Sequence, residues 1–82
     1  CLPAGTVAES DSNAVLEEGY KSLSDCKNVT SSDAWKHSNK FSRLLGMYSQ
    51  ITANYGSSVY IYNKVKHLTK YAEELSLIFE KL

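Results

Sequence analysis

Along the last third of the chain Ile61, Val65, Leu68, Ala72, Leu75, Phe79 and Leu82 recur at intervals of four, three, four, three, four and three residues. Apolar residues spaced this way share one side of an α-helix, whereas a strand would need a period of two. The spacing therefore predicts a long helix over residues 57–82, with an a/d seam sustained for about three heptads. Such a seam must be buried against something.

The upstream sequence supplies two further stripes. Ala34, Phe41, Leu44, Leu45, Tyr48, Ile51, Thr52 and Tyr55 line one side of a helix over 32–55. Val15, Leu16, Gly19, Tyr20, Leu23 and Cys26 line one side of a shorter helix over 12–26, opposite Glu17, Glu18, Lys21 and Asp25. Glu17 precedes Lys21 by one helical turn, the favourable order for an ion pair. Thr30 or Ser32 caps the second helix, and Asp33 suits the positive end of its dipole. Gly56 offers a left-handed C-cap, and Ser57 or Ser58 can cap the next helix at once. The second and third helices then form a tight antiparallel hairpin.

At 1.5 Å per residue the three helices span roughly 22, 33 and 37 Å. An all-α, small three-helix antiparallel bundle is the parsimonious arrangement. Residues 1–11 carry Pro3 and Gly5 without an apolar period and read as an extended N-terminal arm, although Thr6 and Glu9 fit the spacing of a capping box. The whole chain, 1–82, reads as a single domain.

A domain of 82 residues buries little more surface than chain entropy demands, and short domains tend to recruit a covalent staple. Cys1 and Cys26 are the only cysteines. A bridge closing that loop contributes about 3.5 kcal/mol in the chain-entropy account. Ten extended arm residues reach about 33 Å, enough to pass a helix of about 22 Å. The bridge is expected, and it favours an oxidising, secreted setting with a signal peptide removed ahead of Cys1. A second reading makes Cys1 the lipid-bearing cysteine of a bacterial envelope lipoprotein. Asn28-Val29-Thr30 matches an N-glycosylation acceptor in the link between the first two helices, although one match is about what chance provides.

Formal charge sums to zero, which argues against a dedicated nucleic-acid binder. The distribution is uneven. Residues 1–35 carry a net charge of minus four, 36–72 plus six with no acid, and 73–82 minus two. On helical projection Lys36, Lys40 and Arg43 fall on the outer face of the second helix, and Lys66 and Lys70 on that of the third. Folding the hairpin about Gly56 brings Lys40 level with Lys70 and Arg43 level with Lys66, a basic belt. With Trp35, Tyr60 and Tyr62 off the main stripes, the belt is a candidate surface for an acidic partner or an anionic membrane. The bland reading is a solvated face balanced by the acidic first helix.

His37 and His67 are the only histidines. Two imidazoles beside a lysine are a minimal kit for phosphodiester cleavage, yet His37 projects onto the apolar side and the two lie turns apart. No third ligand is spaced to complete a zinc site, and no phosphate loop or nucleophile elbow is present. We therefore expect no enzyme, no cofactor and no metal. Val59 and Leu77 project off the core with Trp35, leaving apolar surface that either the arm or a partner covers. The expectation is a small secreted non-enzymatic interaction protein: an effector, a toxin component or a receptor ligand that binds a protein through a basic and aromatic face. A companion chain or self-association would use the seam that runs to Leu82. The rival reading is a membrane-surface or lipid-anchored helical module.

Overall fold

The structure, a computed structural model, describes residues 1–3, 12–54 and 58–82, with the backbone alone at 12, 49–54 and 58. Among the described residues there are three α-helices and no strand: α1 (Ser12–Ser24), α2 (Ser31–Asn54) and α3 (Ser58–Lys81). Phe41 meets Tyr71 and Trp35 meets Phe79. Residue numbers thus rise along α2 as they fall along α3, which makes the pair antiparallel. Tyr20 and His67 stack between α1 and α3. The expected three-helix bundle is the fold, 40 × 24 × 18 Å in extent.

The local signals explain most of the boundaries. Thr30 is the cap of α2: its hydroxyl accepts the Asp33 amide at 3.1 Å, and its carbonyl accepts the Ala34 amide at 3.0 Å. Helix α1 stops at Ser24, two residues short of the expected Cys26. There the Cys26 amide bonds the Leu23 carbonyl at 3.2 Å, a tightened last turn that leads into the link. The Gly56 and Ser57 caps, Tyr55 and the arm residues 4–11 lie outside the described residues. So do the side chains of Ile51 and Thr52.

The core gathers Val15, Leu16, Tyr20 and Leu23 from α1, Ala34 and Leu44 from α2, and Leu68, Tyr71, Leu75 and Ile78 from α3. Phe41, Met47, Tyr48 and Val29 pack against it. On α1 and α2 these are mostly the expected stripes, although Leu45 is exposed. On α3 the buried line is Lys64, Leu68, Tyr71, Leu75 and Ile78, and the expected seam is corrected: Val65, Phe79 and Leu82 are exposed by 43, 37 and 56 %. Helix α3 packs most closely on α1. That contact turns its buried arc toward Lys64 and Tyr71 and leaves Val65, Ala72 and Phe79 on the flank beside α2.

Helices α1 and α2 touch each other least. The chain's first residues bridge the gap. Cys1 is bonded to Cys26 with the Cα atoms 5.8 Å apart, the Ser22 hydroxyl donates to the Leu2 carbonyl at 3.2 Å, and Pro3 lies beside α2. The expected staple is present. It straps residues 1–3 between the first two helices.

Candidate functional site

Beneath the strap, at the centre of the bundle, His37 and Tyr71 are both fully buried. His37 sits between Ala34 and Phe41 at helical spacing, so α2 must turn it inward with its apolar neighbours. Its Nε2 lies 2.7 Å from the Cys1 carbonyl and its Nδ1 lies 2.6 Å from the Tyr71 hydroxyl. A carbonyl only accepts, so Nε2 carries the proton and Nδ1 accepts from the Tyr71 O–H. Burial holds the imidazole pKa below its ordinary 6.5, against the raising influence of the Cys1 carbonyl, and it pushes the Tyr71 phenol up. The cluster is neutral and closed. Both ring nitrogens are engaged within the protein, so neither reaches a substrate in this arrangement. His67 stands apart, stacked on Tyr20 with ring centroids 5.6 Å apart.

Lys64 is the second buried polar group of the core. Its ammonium sits 5.9 Å from the centroid of the Tyr60 ring, one turn back on α3. Burial lowers its pKa. Neither Lys64 nor Tyr71 was singled out by the seam, although Tyr71 stands three residues after Leu68 and four before Leu75, a core position for any side chain read as apolar.

The outward cations fall into two groups rather than one belt. Lys36, Asn39, Lys40 and Arg43 line a cleft of about 260 Å³ together with Pro3 of the strap. They occupy the flank of α2 nearest α1. Lys66 and Lys70 line a second depression of about 380 Å³ on α3, with Tyr62, Val65, Thr69 and Glu73. The Lys70 ammonium lies 5.3 Å from the Tyr20 ring of α1. The α2 and α3 cations thus approach α1 from opposite sides. On α1 itself Glu17 pairs with Lys21 at 2.6 Å, as the spacing predicts. That contact pulls the Glu17 pKa down and the Lys21 pKa up.

The remaining candidates are scattered. Trp35 is 60 % exposed and meets Phe79 edge to face at 5.6 Å, at the end of the bundle away from the hairpin turn. Tyr62 is exposed on the outer side of α3, whereas Tyr60 is half-buried. Asn28 is exposed in the link, where a glycan would meet open solvent. The Cys1 sulfur, which a thioether lipid would need, is bonded to Cys26. Among the described residues no cluster of His, Cys, Asp and Glu is arranged to hold a metal ion. Nor is any of the described helices long and apolar enough to cross a membrane.

No family model, no curated protein and no solved structure matches the chain.

Proposed function

We propose that this is a small secreted non-enzymatic interaction protein that binds an acidic protein surface through the cations flanking α1. The observation that carries the reading is the cleft lined by Lys36, Lys40, Arg43 and Asn39 beside Pro3. Three cations and a neutral amide converge there on one helical flank, and the disulfide strap forms the adjoining wall. Lys66 and Lys70, with the exposed Tyr62 beside them, extend the same chemistry around the other side of α1. Aromatic and cationic side chains together suit a carboxylate-rich partner, because the rings bury apolar area while the cations steer encounter. The bridge fits an oxidising environment, and the effector, toxin-component and receptor-ligand readings all share this surface.

The test is partner capture by the disulfide-intact protein from cell-surface extracts, compared with Lys40→Glu/Lys70→Glu, which reverses one cation in each group. The variant is expected to lose capture at physiological salt and to keep its melting temperature, because surface charges contribute little to stability. Capture that survives the reversal removes the cations from the argument. Flotation of the protein with phosphatidylserine vesicles in the absence of any protein ligand would favour a membrane-surface module instead.

A further inference from the structure

The link between α1 and α2 carries a feature that the basic clefts do not use. The chain holds five asparagines, Asn13, Asn28, Asn39, Asn54 and Asn63, and Asn28 alone has a hydroxyl residue two places on, in Asn28-Val29-Thr30. Asn28 is also the one asparagine outside a helix, since Asn13 lies in α1, Asn39 and Asn54 in α2, and Asn63 in α3. Sequence and fold thus select the same residue by separate criteria. A chance match has four helical asparagines to fall on, and it falls on none of them.

The local structure suits an acceptor for an N-linked sugar, which needs an exposed, irregular segment. The backbone bends at Lys27 and Asn28, and Asn28 is exposed. Val29 packs against the core instead, so the link is pinned from within and a bulky group on its outward neighbour displaces nothing in the interior. The Thr30 hydroxyl accepts the Asp33 amide at 3.1 Å. An accepting hydroxyl keeps its own proton to donate, so capping α2 leaves Thr30 able to polarise the Asn28 amide. Asn28 lines a depression of about 180 Å³ with Lys27, Val29, Ile78, Lys81 and Leu82. Its apolar side chains match the C–H face of a sugar ring, and its two ammonium groups match the ring hydroxyls. This depression shares no residue with either basic cleft, so a group on Asn28 is anchored outside both.

We propose that Asn28 carries an N-linked oligosaccharide. In the transfer a bond forms from the Asn28 Nδ2 to the anomeric carbon of an oligosaccharide borne on a lipid diphosphate. The anomeric carbon–oxygen bond breaks, the lipid diphosphate leaves with that electron pair, and the amide proton passes to a base. The proposal rests on the secreted reading above, because N-glycosylation and disulfide formation belong to the same route.

The experiment is mass spectrometry of the chain purified from its native source, with and without peptide-N-glycosidase in heavy-oxygen water, and alkylated before and after reduction. The sugar mass should be lost on treatment, and Asn28 should become an aspartate carrying the heavy oxygen. In chains expressed in cells of that source, Asn28→Gln and Thr30→Ala should lose the sugar completely and Thr30→Ser should retain it. Asn28→Gln keeps the Thr30 cap and should melt with the deglycosylated parent, whereas Thr30→Ala should melt lower because the cap is gone. A bridged chain with a bare Asn28 overturns the proposal and leaves the secreted reading standing. Free thiols together with a bare Asn28 overturn both. A sugar that persists in Asn28→Gln overturns the proposal too, since it then sits elsewhere.

Discussion

Gly19 and Gly46 offer the same substitution with opposite expected signs. In the middle of a helix alanine is favoured over glycine by about 1 kcal/mol. At Gly46 an added Cβ meets nothing within 4 Å, so Gly46→Ala should deliver that gain. At Gly19 the new Cβ would stand 2.5, 2.7 and 2.8 Å from Cε2, Cζ and the hydroxyl oxygen of Tyr71. Those separations are well inside van der Waals contact. The ring cannot swing aside freely, because it is fully buried, its hydroxyl is bound to His37, and the edge-to-face neighbours Phe41 and His37 stand on it. Overpacking of this kind costs about 1–3 kcal/mol, and displacing the His37–Tyr71 hydrogen bond costs about 1 kcal/mol more. Set against the propensity gain, Gly19→Ala should be destabilising by about 1–3 kcal/mol. Thermal unfolding of the oxidised protein reads this directly, at roughly 4–8 °C per kcal/mol for a domain of this size. Gly46→Ala should melt higher than the parent and Gly19→Ala lower. Equal stabilisation by both would refute the close approach of α1 to Tyr71, and with it the packing of α1 on α3.

Two further expectations follow from the core. His37 has a folded-state pKa below its unfolded value of 6.5, so the unfolded chain binds the proton more readily. The stability it contributes is complete above that value and is lost as the pH falls from 6.5 toward the folded pKa; urea unfolding across this window should show the decline, and His37→Gln should flatten it, whereas an unchanged slope in the variant would place the titration elsewhere. Leu68→Ala should cost about 2–5 kcal/mol as a core cavity, while Val65→Ala should cost less than about 1 kcal/mol; comparable losses at both positions would restore the seam as the sequence alone draws it.

The helices were legible because their amphipathic spacing and caps agree. Thr30, Asp33 and the Val15-to-Leu23 stripe each express a short-range preference that the bundle leaves intact. The phase of α3 was not legible, for a reason that lies outside its own sequence. A helix facing two neighbours has a wide apolar arc, and which part is buried depends on which neighbour lies closer. The four-and-three repeat passes through Val65, Ala72 and Phe79 and steps over Lys64 and Tyr71, and only the closeness of α1 turns the buried arc back to those two. The basic residues were found, but their grouping was not. Projection of a single helix places Lys40 and Lys70 outward without saying that α1 and the strap stand between them. The Cys1–Cys26 pairing was readable from reach alone, whereas the hydrogen bond from His37 to the Cys1 carbonyl joins positions that no local pattern relates.

That bond makes the strap more than a tether. The disulfide holds the carbonyl that accepts the hydrogen bond of His37 Nε2–H, and the same residues reach α1 through Ser22 and lie beside α2 at Pro3. A reductant acting at the surface would therefore be felt in the interior. Once the strap lifts, Nε2–H loses its acceptor and gains access to solvent, and the burial that keeps the imidazole neutral is relieved. In the oxidised chain burial holds the imidazole pKa below 6.5, and relief of that burial on reduction is expected to let it rise toward its ordinary value. The bridge at the surface and the hydrogen bond in the core share one residue, Cys1.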